Sequence, residues 1–178
     1  MKWKCINMRV IAGKHKSKAL ESLEGRNTRP TMDKVKEGIF NSLHNVSGLG
    51  LDLFAGSGAL GIEGLSRGMD KVIFVDQNFK AIKVIQANLQ QLDLTEQAEV
   101  YKNNADRALK ALNKRDIQFD YIFLDPPYNK GLIDKALIQI ETFNLLKESG
   151  IIICEFSHQE DIAIQSFKEL KRYHYGLT

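Results

Sequence analysis

The chain has little of what marks a secreted, metal-binding or membrane-spanning protein. Two cysteines in 178 residues, Cys5 and Cys154, are too few for a disulfide framework or a cysteine-ligated zinc site. No hydrophobic run approaches the roughly 18 residues of a membrane span, and the N-terminus lacks the apolar segment of a secretion signal. The sequence therefore predicts a cytoplasmic protein without a metal or a membrane partner.

Proline is also scarce, and two of the three prolines are adjacent. They lie in Asp125-Pro126-Pro127-Tyr128, directly after the run 120–124, whose β-branched and aromatic residues predict a buried strand. Because two prolines fix φ and remove two backbone donors, the strand must end here in a stiff turn. The turn holds a carboxylate, a carbonyl and an aromatic ring at the edge where open α/β sheets bind ligands. These groups suit a flat ring that carries an amino group.

The net charge of +3 is unevenly distributed. Residues 1–36 contain ten Lys and Arg against three Asp and Glu. The remaining 142 residues contain fifteen Lys and Arg against nineteen Asp and Glu. This basic arm, residues 8–36, is either a solvated tail or a surface that contacts phosphates. The candidate RNA-binding residues are Lys14, Lys16, Lys18, Arg26 and Arg29.

Hydrophobic periodicity predicts one α/β domain. We assign the domain to residues 8–178 and interpret residues 1–7 as a leader or an added extension. Runs that are apolar on both faces, such as 72–75, are typical of parallel strands covered by helices on both sides. The predicted fold is a doubly wound, mostly parallel sheet. Its strands are expected at 49–54, 71–76, 98–102, 120–125 and 149–156, and its helices at 58–68, 78–92, 104–113 and 132–145.

Further elements are predicted at both ends of this alternating pattern. Short strands at 8–12 and 18–23 flank a basic turn, and Thr31 is expected to cap a helix that runs through residues 34–43. After Glu155 we expect a short helix and a last strand near 167–174.

A glycine-rich turn predicts a nucleoside-containing cofactor. The segment 51–61 reads as a strand, a turn and a helix start, with Gly56, Gly58 and Gly61 in the pattern G-x-G-x-x-G. Asp76 ends the second strand about 20 residues after the first glycine, where a carboxylate can accept hydrogen bonds from ribose hydroxyls. Both a nicotinamide dinucleotide and S-adenosyl-L-methionine fit this pattern.

Asp52 favours S-adenosyl-L-methionine, because a carboxylate beside the turn would repel a pyrophosphate yet can help to hold the amino group of a methionine. Asp106, after the third strand, can accept from the adenine amino group or cap the helix 106–113, and the two roles are compatible. The candidate cofactor-binding residues are Asp52, Phe54, Ala55, Gly56, Ser57, Gly58, Asp76, Gln77, Ala105 and Asp106.

Three segments together resemble the S-adenosylmethionine-dependent amino-methyltransferases, namely 51–63, 74–76 and 119–128. The segments 8–13 and 28–37 are similar to the bacterial 16S ribosomal RNA guanine-N2 methyltransferases of the RsmD type. This resemblance implies a Rossmann-like class I methyltransferase with a small, basic, β-rich N-terminal extension. It also implies S-adenosyl-L-methionine as cofactor and 16S rRNA or the small ribosomal subunit as partner, and we expect a monomer.

The same family usually ends with an antiparallel hairpin beyond the Tyr-Gly found here as Tyr175-Gly176. This chain stops two residues later, so we expect its last strand to be short or absent.

The predicted catalytic residues are Asp125, Pro126, Pro127 and Tyr128. If the Asp125 carboxylate and the Pro126 carbonyl accept the two amino hydrogens, the nitrogen lone pair is freed towards the methyl donor, while Tyr128 stacks on the base. An adenine-N6 methyltransferase acting on DNA or another RNA shares this motif and is the nearest alternative. A non-catalytic RNA-binding protein and an NAD-dependent oxidoreductase are more distant ones.

Overall fold

A parallel five-stranded sheet forms the centre of the computed structural model, which describes residues 8–23, 30–43 and 45–175. The strands are β1 Leu49–Asp52, β2 Lys71–Asp76, β3 Ala98–Lys102, β4 Phe119–Leu124 and β5 Leu146–Cys154. The helices are α1 Pro30–Asn41, α2 Ala59–Arg67, α3 Phe79–Gln91, α4 Ala105–Asn113 and α5 Leu132–Thr142. The predicted α/β fold is confirmed, and the predicted leader 1–7 lies outside the described residues.

Helices cover both faces of the sheet. Because successive strand residues point to opposite faces, Val72 and Phe74 join the cluster that includes α2 and α3, whereas Ile73 and Val75 join the one that includes α4 and α5. The carboxyl edge of the sheet is therefore the place where loops can form a ligand site. No helix in the described parts of the chain is long and apolar enough to cross a membrane.

The strand order β3-β2-β1-β4-β5 places the two predicted functional loops side by side. β1 pairs with both β2 and β4, and Asp52 lies in register with Phe74 on one side and with Phe123 on the other. The chain order reverses between β1 and β4, which is the switch point where doubly wound sheets bind ligands. The glycine turn (residues 55–58) and the Asp-Pro-Pro-Tyr loop (residues 125–131) both leave the sheet there.

The N-terminal region has less regular structure than the sequence predicted. The strands expected at 8–12 and 18–23 are reduced to one isolated antiparallel bridge between Arg9 and Ala19. α1 begins at Pro30, so Thr31 lies in its first turn and the predicted cap is wrong. Proline is favoured at a first helical position because the missing N–H has no partner within the helix.

The C-terminal segment, residues 155–175, contains no regular helix or strand, so both elements predicted there are wrong. It is mostly exposed, and few of its apolar side chains, among them Ile162 and Phe167, pack against the core. A strand needs a neighbouring strand and a regularly buried face, and this segment has neither. The absence agrees with the expectation of a short or missing last strand. β5 also begins earlier than predicted, because Leu146 pairs with Phe119 before the register shifts.

Candidate active site

The glycine turn after β1 requires its glycines for two physical reasons. Gly56 and Gly58 adopt positive φ angles of 56° and 80°, which residues with a Cβ rarely tolerate. Gly61 lies where α2 crosses β2, and a Cβ on it would be 2.3 Å from the Phe74 ring. The turn therefore brings the N-terminus of α2 close to the sheet edge, in the arrangement that suits a ligand at a helix N-terminus.

Asp52 lies beneath this turn and is only 1% exposed. Its Oδ2 accepts a hydrogen bond from the backbone N–H of Gly61 at 3.0 Å. Burial raises the pKa of Asp52 to about 7, with the Gly61 hydrogen bond opposing the shift and the charge of Asp76 adding to it. The direct contact of Asp52 is thus with α2, and its carboxyl group sits near the boundary between its neutral and charged forms at neutral pH.

Asp76 ends β2 beside the turn. Its Oδ2 accepts from the Gly56 N–H at 2.8 Å and its Oδ1 accepts from the Asn78 N–H at 2.7 Å. Each carboxylate oxygen has a second lone pair, so Asp76 can still accept from a ligand hydroxyl. Gln77, the next predicted cofactor residue, is exposed at the same edge.

A cavity of about 340 Å³ lies between α4 and α5 and brings together Phe54, Ala105 and Asp106. Asp106 accepts hydrogen bonds from Lys110 Nζ at 2.9 Å and from Gln139 Nε2 at 2.7 Å. The pKa of Asp106 is lowered, mainly by its hydrogen bond to Lys110.

The alternative role of Asp106 as a helix cap is wrong. Asn104 is the N-cap of α4, with its side-chain oxygen accepting from the Arg107 N–H at 2.9 Å. The helix begins at Ala105, so Asp106 lies within its first turn, where a negative charge still interacts well with the helix dipole.

These groups fit S-adenosylmethionine. The left-handed glycines let a ligand approach the backbone, and the cavity beside Phe54 has room for a ring. The three carboxylates Asp52, Asp76 and Asp106 complement a cationic ligand with amino and hydroxyl donors, whereas a pyrophosphate would be repelled. The Oε1 atom of Gln139, which also lines the cavity, is buried without a hydrogen-bond partner.

The Asp-Pro-Pro-Tyr loop follows β4 at the neighbouring position of the sheet edge. Asp125 is half-buried, Pro126 is buried, and Pro127 and Tyr128 are exposed. The Tyr128 hydroxyl donates to Glu155 Oε1 at 3.0 Å, while 39% of the residue stays accessible. Burial, followed by the Glu155 charge, raises the pKa of Tyr128, so its hydroxyl stays a donor at neutral pH. The loop thus offers an aromatic ring beside a carboxylate.

Two glutamates that support this loop were not predicted from the sequence. Glu155 contacts Tyr128, and Glu160 Oε1 accepts from the Asn129 N–H at 2.8 Å. Each partner is 27 to 31 residues away in the chain, which no local pattern reveals. The one available signal was that Glu155 follows β5 in the same way that Asp125 follows β4.

The basic arm is docked on the domain through a buried glutamate. Glu63 is fully buried and accepts hydrogen bonds from the backbone N–H groups of Ile11 and Ala12 at 2.8 and 3.0 Å. Arg67 Nε lies 2.7 Å from the same carboxylate. Ser66 Oγ donates to the Ala12 carbonyl at 2.7 Å. The described part of the arm is therefore not a solvated tail.

A buried asparagine joins the arm to the glycine turn. Asn88 on α3 is 0% exposed, and its Oδ1 accepts from the Glu21 N–H at 2.7 Å. Its Nδ2 donates to the carbonyl of Glu21 at 3.1 Å and to that of Ser57 at 3.0 Å. Asn88 lies on the same helix face as Ala81 and Ile85, so a polar residue in an apolar stripe was the signal that could have identified it.

Three of the predicted RNA-binding lysines lie together on the turn of the docked arm. Lys14, Lys16 and Lys18 are exposed, and the Lys14 N–H donates to the Ser66 carbonyl at 2.7 Å, which fixes the turn. The other two predicted contacts, Arg26 and Arg29, lie outside the described residues. The arm therefore holds at least three cationic side chains in a defined place on the surface.

Comparison with known proteins supports the resemblance. The family described as "Conserved hypothetical protein 95" matches residues 8–178. The chain is 46% identical to the Bacillus subtilis "Putative rRNA methyltransferase YlbH", over 96% of this chain and 95% of the relative. It is 38% identical to the Haemophilus influenzae "Ribosomal RNA small subunit methyltransferase D", over 83% of this chain and 78% of that relative.

A solved structure shares the fold along almost the whole chain. The "Putative methyltransferase yhhF" from Escherichia coli superposes with a TM-score of 0.82 and 27% identity, covering 96% of this chain and 93% of the other. Together with the relatives, this confirms the RsmD-type family inferred from the sequence motifs.

Proposed function

The chain belongs to the conserved hypothetical protein 95 family, and on that premise we propose that it is an S-adenosylmethionine-dependent methyltransferase of small-subunit ribosomal RNA. We propose further that the acceptor is the exocyclic N2 amino group of a guanine. The observation that carries the proposal is the adjacency of β1 and β4, which places the glycine turn next to the Asp-Pro-Pro-Tyr loop. The names of the two relatives support ribosomal RNA as the substrate.

Residues of this chain would bind the cofactor at the glycine turn. Asp76 would accept from the ribose hydroxyls, and Phe54, Ala105 and Asp106 would surround the adenine in the cavity between α4 and α5. Asp52 would support the turn from beneath and add negative charge near the methionine amino group. S-adenosylmethionine, when bound, supplies an electrophilic methyl group on a positively charged sulfur.

The Asp-Pro-Pro-Tyr loop would prepare the acceptor nitrogen. A guanine amino group is a weak nucleophile because its lone pair is delocalised into the ring. The Asp125 carboxylate and the Pro126 carbonyl would each accept one amino hydrogen, which favours a pyramidal nitrogen with its lone pair free. The ring of Tyr128 would fix the plane of the base by stacking. Positioning and electrostatics would then carry the rate, and Asp125 would take the proton that the nitrogen releases.

Carboxylates around Tyr128 support guanine rather than adenine. Glu155 accepts from the Tyr128 hydroxyl, and besides burial the charges of Glu155, Asp125 and Glu160 all raise the pKa of Tyr128. Guanine presents donors at both N1 and N2, whereas N1 of adenine is an acceptor. An acidic surrounding therefore favours the guanine edge once the base has been exposed or flipped into the site.

The docked arm would bind the RNA around the target base. Lys14, Lys16 and Lys18 project from one turn and can neutralise phosphates of a structured RNA. We include Arg26 and Arg29 in this proposed surface.

A methylation assay tests the proposed function. The protein is incubated with labelled S-adenosylmethionine and, separately, with small ribosomal subunits, free 16S rRNA and DNA, and the product nucleosides are identified. We expect N2-methylguanosine from a ribosomal substrate. Labelled N6-methyladenine without N2-methylguanosine would establish the adenine alternative instead.

A matched pair of variants tests the role of Asp125. Asp125→Ala should lower methyl transfer by at least about 100-fold while RNA binding is retained, because the amino hydrogens lose an acceptor. Asp161→Ala removes an exposed carboxylate from the C-terminal segment and should leave transfer unchanged. Equal transfer by wild type and Asp125→Ala would contradict the assigned chemistry.

A further inference from the structure

Glu155 occupies a fixed position next to the Asp-Pro-Pro-Tyr loop. It follows the last residue of β5, and its backbone N–H donates to the carbonyl of Leu124 at 2.9 Å. Leu124 is the residue directly before Asp125, so the backbone of Glu155 is bonded to the last point of β4 before the loop begins. The position of Glu155 is therefore set by the sheet and does not depend on the loop.

The side chain of Glu155 connects this fixed backbone position to the aromatic ring of Tyr128. Its Oε1 accepts the hydroxyl proton of Tyr128 at 3.0 Å. A tyrosine ring on an exposed loop can otherwise turn about two side-chain torsions, and a hydrogen bond at its far end restricts both. Because the acceptor is a carboxylate, the bond is stronger than one between neutral groups.

A second contact keeps the two segments together beyond Tyr128. Glu160 accepts from the Asn129 N–H at 2.8 Å through one oxygen and from the Ser157 N–H at 3.0 Å through the other. The residue after the tyrosine is thus tied to the same C-terminal segment that contains Glu155. The backbone on one side of the ring and the hydroxyl at its tip are both anchored, while 39% of the residue stays accessible.

We propose that Glu155 is a positioning residue that holds the Tyr128 ring in the plane on which the target base stacks. The proposal rests on the proposed function, since it assigns Glu155 to the same site. In this role Glu155 would act through the tyrosine hydroxyl and not through a contact with the methyl donor or the acceptor nitrogen. A misdirected ring would still bind RNA, but it would leave the amino group badly aligned for transfer.

Single-turnover methyl transfer by four variants tests this role. Glu155→Ala and Tyr128→Phe each remove one half of the hydrogen bond, and we expect each to slow transfer about tenfold, with RNA affinity within about twofold of wild type. The double variant should be no slower than either single variant, because the two residues act through one contact. Glu155→Gln keeps an acceptor oxygen and should retain most of the rate.

Fluorescence supplies a readout that does not need methyl transfer. An RNA fragment with 2-aminopurine at the methylated nucleotide should be less fluorescent in its complex with the wild type than in its complex with Glu155→Ala, because stacking on Tyr128 quenches the flipped base. The RNA bound to Glu155→Ala should be quenched less, whereas the RNA bound to Glu155→Gln should be quenched as much as the RNA bound to the wild type. Glu148→Ala, which removes an exposed carboxylate elsewhere on β5, is the control and should also resemble wild type.

The outcomes separate this inference from the proposed function. If the wild type methylates no RNA, the proposed function fails. If the wild type is active but the effects of Glu155→Ala and Tyr128→Phe multiply in the double variant, or if Glu155→Ala quenches fully, the positioning role is overturned. If Glu155→Ala unfolds in urea earlier than wild type, the folded Glu155→Gln and Tyr128→Phe variants still decide. A slow Glu155→Gln with a rapid Tyr128→Phe would also refute the role.

Discussion

The glycine turn and the Asp-Pro-Pro-Tyr loop leave neighbouring strands at one sheet edge, but they are held in different ways. The glycine turn is supported by Asp52 and Asn88, which are 1% and 0% exposed and belong to a strand and a helix. The other loop is supported by the partly exposed side chains of Glu155, whose backbone is bonded to the end of β4, and of Glu160, which belongs to a segment without regular structure. The cofactor side is therefore part of the folding core, whereas the part of the base side that follows Tyr128 can adjust without unfolding the domain.

The largest expected effect comes from overfilling the core beneath the glycine turn. Gly61→Ala places a methyl group 2.3 Å from the buried Phe74 ring, and we expect a loss of about 3 kcal/mol in the free energy of unfolding. The matched change Gly131→Ala lies at the end of the other loop, where a Cβ meets nothing within 4 Å and only the positive φ of 58° opposes it. For Gly131→Ala we expect a loss of about 1 kcal/mol in the free energy of unfolding.

Urea unfolding of both variants makes this comparison. Equal losses would show that the two loops are equally integrated in the core, contrary to the difference described above.

A smaller loss is expected when the link between the arm and the glycine turn is cut. Asn88→Ala removes hydrogen bonds to Ser57 and Glu21 and should cost about 2 kcal/mol. Limited proteolysis should then cleave the turn at Lys14 to Lys18 sooner, because the arm detaches more often. Asn113→Ala, at the exposed end of α4, is the control and should change neither quantity. Unchanged proteolysis of Asn88→Ala would mean that the contacts of Glu63 and Ser66 are sufficient to hold the arm.

The third prediction concerns pH. The pKa of Asp52 is raised from 3.8 to about 7 in the folded protein, so between these values the folded state keeps a proton that the unfolded state releases. Stability should therefore fall as pH rises through this window and level off above it. Asp52→Asn keeps an acceptor for the Gly61 N–H but cannot ionise, so its stability should fall less between pH 5 and pH 7.5 (roughly the upper part of that window).

The difference between the urea unfolding free energies of wild type and Asp52→Asn at each pH gives the contribution of Asp52, because the other titrating groups are common to both proteins. Parallel curves for wild type and Asp52→Asn would show that Asp52 ionises normally.

The smallest effect is expected on the base side. Glu160→Gln leaves one acceptor oxygen for the two N–H groups of Asn129 and Ser157. We therefore expect a loss of about 0.5 kcal/mol in the free energy of global unfolding. Hydrogen exchange should show a faster Asn129 amide and an unchanged Gly56 amide, which Asp76 holds. If both amides exchanged faster, the two loops would open together, and the distinction between a fixed and an adjustable side would not stand.

Local patterns were sufficient for the sheet and for the two loops. Carboxylates at strand ends, such as Asp52 and Asp76, could be placed because strand and turn signals are contiguous in sequence. The supporting contacts could not, since Asn88 reaches Ser57 across 31 residues and Glu63 reaches Ile11 across 52. Pairings of this length depend on how helices pack, which periodicity does not encode.

The predictions at the two ends failed for a related reason. A strand was expected near 167–174, but a strand also needs a neighbour, and the described residues offer it none. At the other end, the positive charge of the arm left open whether it is a solvated tail or a surface that contacts phosphates. What fixes it is the hydrogen-bonding capacity of a carboxylate at Glu63, which composition does not reveal.

The hydrogen bonds from the arm to Glu63 also have a consequence for folding during synthesis. Residues 8–23 leave the ribosome before the groups that receive their backbone N–H donors, because Glu63 and Asn88 are synthesised about 50 to 70 residues later. Until α3 is complete, the arm exposes Val10 and Leu20, which are buried in the finished domain. This segment thus cannot acquire its final contacts when it is made, and during synthesis its apolar residues remain accessible to chaperones.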